Sequence, residues 1–366
     1  MQEKKQIKAL TGARFAAIMI IVGSHFEFLY QYSIGSIYYN YFHNATMGVD
    51  FFFMLSGFGM MLSSIKTDPA GKKQNNTLKS LLNYSFKHVS KIYPLYVATL
   101  LIGIPYYMMH SIIENGKSFF EASIHTISKF IVCLTLLQST TGMMRFSHGL
   151  NAVCWFLSTL FCIYIISPII MRYLKRKIKT TKEAMLFIII SIFCSFIFAI
   201  VLEWVEKNTI FDMICFGSPY RRIFYVICGM ITAQIYTFNR NCTIKITFEY
   251  LSIILSIIWF FMRNTISYKI GAFIYIIDMI LCIFVLYALA FEKGKISFFF
   301  ASKKMVYLGN ISMYIFITHF LIREYVDFIV RQLNLQSLLT ASIEIVIILL
   351  FTFIVSIMLE KYYHKK

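Results

Sequence analysis

Charge is scarce in this chain. Only 14% of its 366 residues are Asp, Glu, Lys or Arg, against about a quarter in soluble domains. Stretches such as AMLFIIISIFCSFIFAIVL carry none at all. With 58% hydrophobic residues, that shortage excludes a soluble globular domain and places the chain among polytopic membrane proteins. A paired-cysteine signature is also missing. The eight cysteines show no CxxC spacing and mostly lie in apolar runs, so they read as small core residues. Neither a metal site nor a disulfide framework is expected from them. No repeat with a period of roughly 20–50 residues is present. No small-residue cleavage site follows Lys4, Lys5 and Lys8, and Arg14 and His25 interrupt the apolar run behind them. The N-terminus therefore reads as a retained first span and not as a signal peptide. The longest outer stretch, about 111–151, is too short for a domain, and the sequence stops soon after its last apolar run. A single membrane-embedded domain over 1–366, with no soluble appendage, is expected.

What charge there is has a pattern. Lys and Arg outnumber Asp and Glu by 35 to 17, a net charge of +18. The basic residues sit in short clusters between apolar segments, which suits cytoplasmic loops and not a nucleic-acid-binding face. Apolar segments fall at about 10–30, 48–65, 90–110, 124–137, 152–173, 184–204, 221–238, 246–262, 270–291, 305–328 and 338–360. The one at 124–137 is short for a crossing, and letting it cross would put the cluster from Arg172 to Lys182 outside. Taken as re-entrant or interfacial, it leaves ten spans with both termini cytoplasmic. The inner loops and tails then hold 24 Lys and Arg and the outer side 10, with Arg14 inside a span. The predicted fold is an all-α polytopic membrane protein of ten transmembrane helices plus one short re-entrant or interfacial helix. Such spans are helices because backbone groups cannot stay unpaired in lipid.

Ionisable residues inside membrane spans cost free energy and mark candidate functional sites. Arg14 and His25 share the first span, about 16 Å of helical rise apart and on nearly the same face. Arg14 lies toward the inner side and His25 toward the outer. His319 falls in the outer half of the ninth span, and Arg222 opens the sixth from outside. Asp50 lies at the outer mouth of the second span, where it is also placed to cap that helix. Glu27 lies at similar depth. Ser56 follows Asp50 in the second span. Trp155 opens the fourth, a common place for an interface tryptophan. Lys87 and Lys91, one turn apart on one helix face, join Arg14 on the inner side. A basic inner mouth suits a phosphate-bearing cytoplasmic donor. An outer histidine, neutral near pH 7, suits a general base for an acceptor hydroxyl. Gly48, Gly57 and Gly59 suit close helix packing.

The motifs TGARFAAIMIIVGSHF, GVDFFFMLSGF, KHVSKIYPLY, WFLSTLFCIYIISPII, SPYRRIFYVICGM and LGNISMYIFITHFLI stand in that order across nearly the whole chain. With them the chain resembles acyltransferase family 3, integral membrane O-acyltransferases that include polysaccharide O-acetyltransferases of bacterial envelopes. The resemblance implies a ten-helix core in the bacterial cytoplasmic membrane and a carbohydrate or glycolipid acceptor. It implies acyl-CoA, usually acetyl-CoA, as co-substrate with no bound cofactor, and it leaves room for a homo-oligomer. His25 matches the expected catalytic base, and Arg14 an essential arginine serving the donor. Two departures stand out. Lys87 and Lys91 replace arginines common in relatives, keeping charge but losing the bidentate grip on phosphate. Tyr225 replaces an acidic residue common three positions after the arginine, so Arg222 finds no carboxylate partner in its own motif. Some relatives carry a fused extracellular esterase-like domain that passes the acyl group onward. Without one, this chain is expected to acylate its acceptor directly or through a separate partner.

The resulting expectation places the donor phosphates near Arg14, Lys87 and Lys91, and the acceptor hydroxyl at His25. Arg222 or His319 then stabilises the oxyanion or holds the glycan. Asp50, Ser56, Trp155 and Glu27 are assigned to the acceptor site or its support. The competing reading is a transporter of a lipid-linked glycan, sharing the spans and polar midplane residues without acyl transfer. That reading predicts an inverted internal repeat, which the sequence does not show.

Overall fold

The computed structural model describes residues 7–68, 77–240, 246–335 and 337–364. Among these residues the structure is helical with no strand. The helices are α1 (Lys8–Gly23), α2 (Gly35–Tyr41), α3 (Ala45–Thr67), α4 (Leu78–Val89), α5 (Tyr93–Ile113), α6 (Phe119–Leu134), α7 (Met144–Ser147), α8 (Trp155–Lys177), α9 (Thr181–Asn208), α10 (Pro219–Phe238), α11 (Ile246–Ile270), α12 (Phe273–Ala290), α13 (Lys295–Phe300), α14 (Lys303–Gln332) and α15 (Leu338–His364). Eight helices among the described residues are long and apolar enough to cross a membrane. The 16-residue α1 and the arginine-bearing α10 fall outside that set, though each coincides with an expected span. The fold is an all-α polytopic membrane fold.

Two parallel helix pairs position the site, and glycines set how close they come. On α3 and α10, a Cβ at Gly57 would lie 2.0 Å from the Val226 carbonyl oxygen, and one at Gly229 would lie 1.9 Å from that of Met54. The backbones therefore touch, and no larger residue fits without moving a helix. Gly309 of α14 meets the Thr11 carbonyl of α1 at 1.9 Å in the same sense. Gly48 packs on Ala17 of α1 as expected, but a Cβ added at Gly59 would meet nothing within 4 Å among the described residues.

The segment expected at 124–137 forms α6. Ser118 and Glu121 cap it reciprocally through a capping box. Its outward face carries Phe120, Ile124, Ile127 and Ile131 at helical spacing, while Ala122, Thr126 and Cys133 are buried. An apolar outward stripe on a short helix suits lipid contact at the membrane surface. The chain after α6 folds inward. Ser158 of α8 bonds the Ser139 amide at 3.0 Å and the Leu136 carbonyl at 2.8 Å. Asn151 donates to the Ile317 carbonyl of α14 at 2.9 Å.

Two local expectations are corrected. The first span is not one helix to residue 30, because α1 stops at Gly23 and a 3-10 turn covers Glu27–Gln31. Lys87 and Lys91 do not share a helix face, because α4 ends at Val89 and α5 begins at Tyr93. Both lysines are exposed.

Candidate active site

The break after α1 is a braced turn. Ser24 turns its hydroxyl back onto the Ile21 carbonyl at 2.7 Å. The Tyr38 hydroxyl of α2 donates to the Gly23 carbonyl at 3.1 Å and accepts from the Phe26 amide at 2.9 Å. His43 Nδ1 meets the Ser24 carbonyl at 3.1 Å. These bonds satisfy backbone groups that the end of α1 leaves open. They fix residues 24–26 as a rigid strap, and His25 is carried on it, half-buried.

His25 meets His319 across the α1–α14 contact, Nδ1 to Nε2 at 3.2 Å. The protons on this pair follow from its surroundings. His319 Nδ1 faces the Ile315 and Phe316 carbonyls at 3.0 and 2.9 Å. Carbonyl oxygens only accept, so His319 Nδ1 carries a proton, and the Nε2 of a neutral ring carries the lone pair. The 3.2 Å contact is then a donation from His25 Nδ1–H. The His25 ring also donates to the Ile21 carbonyl; with Nδ1–H as the donor, the lone pair of His25 is left on Nε2. A neutral imidazole oriented at one nitrogen and open at the other has the form of a general base with its positioning partner.

The cation beside this pair is Arg323, not Arg222. Arg323 lies one turn beyond His319 on α14, buried, and pairs with Glu27 at 3.4 Å and with the neighbouring Glu324. It sits 5.7 Å from the Phe320 ring, whose neighbour is His25 at 5.3 Å in an edge contact. The sequence reading passed over Arg323, although HFLIREY places it on the same face as His319. Glu27 belongs to this group through Arg323.

Arg222 lies elsewhere. It forms a fully buried ion pair with Asp50, and Trp155, Phe53 and Phe216 surround its guanidinium at 5.1–5.7 Å. The parallel α3–α10 packing makes this pair by placing Asp50 and Arg222 at equal height. Three expectations change accordingly. Arg222 has a carboxylate partner after all, supplied by α3 instead of by its own motif. Asp50 does not cap its helix, because α3 already begins at Ala45. Trp155 is a core residue, 6% exposed, and not an interface tryptophan. Contacts from Phe53 to Phe156 at 4.6 Å and from Phe156 to Phe316 at 5.2 Å build an aromatic layer between Arg222 and His319. Next to it, Asp278 takes Arg263 in a bidentate grip at 2.9–3.1 Å and Trp259 at 2.7 Å.

Arg14 stands three turns before His25 on α1 and is half-buried. Among the described residues it has no carboxylate within ion-pair distance. Its electrostatic neighbour is the Tyr164 hydroxyl of α8, which also interacts with the Ser56 hydroxyl. Ser56 in turn donates to the Phe52 carbonyl at 2.8 Å. Thus Ser56 is brought to Arg14 and not to the histidines. The part of KHVSKIYPLY that reaches this group is His88, whose ring lies 5.1 Å from Tyr164 and 4.3 Å from Tyr84. Ser85 fastens α4 to α8 through the Phe161 carbonyl at 2.7 Å. Tyr164 and His88 were not singled out from sequence, since an aromatic in a helix reads as core.

A family model described as an acyltransferase domain, that of acyltransferase family 3, matches residues 7–361. No curated protein and no solved structure matches the chain.

Proposed function

The chain belongs to acyltransferase family 3, and from that premise we propose that it moves an acyl group, acetyl in the first instance, from acyl-CoA to a glycan hydroxyl. The acceptor is exported or lipid-linked, and the transfer takes place at the outer side of the cytoplasmic membrane. The observation that carries the reading is the free Nε2 of His25 within a pair whose protons are otherwise committed.

In this reading acyl-CoA approaches from the side that holds most of the basic residues. Arg14, with no carboxylate partner among the described residues, receives an anionic or polarised part of the donor, with Tyr164 and Ser56 beside it. Lys87 and Lys91 attract its phosphates from the exposed rim. The acceptor hydroxyl gives its proton to His25 Nε2 as its oxygen attacks the thioester carbonyl. The C–S bond breaks, and the proton on Nε2 passes to the departing thiolate, giving the ester and free CoA. His319 holds His25 in the productive tautomer and accepts from Nδ1–H throughout. Arg323, balanced by Glu27 and Glu324, faces the same space and is the available donor for the oxyanion. Asp50, Arg222 and Trp155 support α3 and α10.

The test uses purified protein in nanodiscs with acetyl-CoA and a glycan acceptor. Release of free CoA and ester formation by mass spectrometry are expected for the wild type and lost in His25→Ala. Near wild-type turnover by His25→Ala overturns the assignment of the base. No thioester consumption by the wild type favours a glycan transporter.

A further inference from the structure

A cavity adjoins the histidine pair, and its charges are not balanced. It encloses about 210 Å³ between α5, α6, α14 and the segment before α8, with Tyr106, Tyr107, Lys129, His148, Phe320 and Glu324 in its wall. Phe320 is shared with the site above, since its ring contacts His25. The one carboxylate, Glu324, is already engaged by Arg323 and by the Tyr106 hydroxyl. Lys129 has no such partner: among the described residues no carboxylate lies within ion-pair distance of it. Its ammonium donates to the Tyr107 hydroxyl and sits 4.1 Å over that ring. A half-buried ammonium facing a phenol and a ring face is left with donor capacity and net positive charge. Burial holds Lys129 down to about 8, with Lys117 adding to the effect. Burial also lowers His148, with Lys129 as the next cause, so that ring stays neutral at pH 7 and serves hydroxyls.

We propose that this cavity is an acceptor subsite that binds an oxyanion of the acceptor, a carboxylate or a phosphate, on Lys129, beside the hydroxyl presented to His25. It rests on the acyl-transfer reading only in calling the ligand an acceptor. Its small volume suits one sugar ring or one charged substituent and not a chain. The short helix α6 gains a role from this. Its outward stripe meets lipid, and its inner face brings the lysine over the site.

The experiment measures binding of methyl glucuronide, methyl glucoside and glucose 1-phosphate to the protein in nanodiscs of uncharged lipid, alongside thioester consumption. Wild type is expected to prefer a charged probe over the glucoside by tenfold or more. That preference falls to near unity in Lys129→Gln, which still binds the glucoside as the wild type does and is therefore folded, and it persists in Lys129→Arg. Glucuronide or glucose 1-phosphate giving the larger preference identifies carboxylate or phosphate. Equal binding of all three probes by the wild type overturns the subsite, even where thioester consumption stands. Absent thioester consumption with an intact charge preference sinks the acyl-transfer reading and leaves the anion site. If lysine-dependent anion binding appears only after anionic lipid is added to the discs, the site takes a lipid headgroup, and the proposal fails.

Discussion

Two buried polar groups face each other across the layer of Phe53, Phe156 and Phe316, and they differ in access. On one side Asp50–Arg222 and Asp278–Arg263 are 0–8% exposed and neutralise each other. On the other, His25 is half-buried and one of its nitrogens is uncommitted. The first arrangement ties α3 to α10 and α11 to α12, because breaking a buried pair leaves an unsolvated charge. The second costs less to keep, since both rings are neutral, and it leaves a lone pair for chemistry. Charge alone is therefore a poor guide to where a membrane enzyme reacts, and unsatisfied capacity within reach of substrate is a better one.

The largest expected effect separates the two sides by function. His25→Ala should lower acyl transfer by 10²–10⁴-fold, the usual contribution of a positioned base, with thermal unfolding little changed. Turnover and melting measured on one preparation check both halves. Arg222→Ala should do the reverse, destabilising by about 3–5 kcal/mol through the stranded Asp50 carboxylate. Restoring stability by adding Asp50→Asn would sharpen the contrast. A stable Arg222→Ala protein without activity would break it and move Arg222 into the chemistry. Gly57→Ala forces a methyl against the Val226 carbonyl and should cost about 1–3 kcal/mol, read as a drop in melting temperature. Tyr38→Phe removes the hydroxyl that ties Gly23 to Phe26, each bond worth about 0.5–1.5 kcal/mol. It should lower kcat a few-fold and leave the donor KM unchanged. The smallest effect concerns pH. Lys129 is charged below about 8 and loses its proton as pH rises through that value. The groups around it are Tyr106, Tyr107 and His110 of α5, Lys117, Cys133 of α6, His148, and Glu324 of α14. Preference for an anionic acceptor should therefore fade above pH 8, and a flat preference from pH 7 to 9 would remove Lys129 from that role.

The fold was legible because lipid leaves the backbone few choices: a long apolar run must be a helix. The positive clusters add direction, and the parallel pairing of α1 with α14 and of α3 with α10 agrees with the alternation they imply. His25 and Arg14 were legible for the same reason, as ionisable residues out of place in apolar runs. Arg323 was not, because HFLIREY reads equally as the polar end of a span. Tyr164 and His88 were hidden by being aromatic, and Lys129 by lying in a segment short enough to be set aside.

By itself, the sequence determined the membrane class, the long apolar helices and the candidacy of Arg14 and His25, since each follows from local composition against the cost of burying charge. Which cation answers which carboxylate was decided only in three dimensions. Asp50 and Arg222 are 172 positions apart and meet because glycines let α3 and α10 touch. The proton on His25 was settled in the same way, by two carbonyls of α14 that orient His319 from a distant part of the chain. Ion pairs and tautomers depend on distances of a few ångströms between helices, and no spacing along a single helix encodes them.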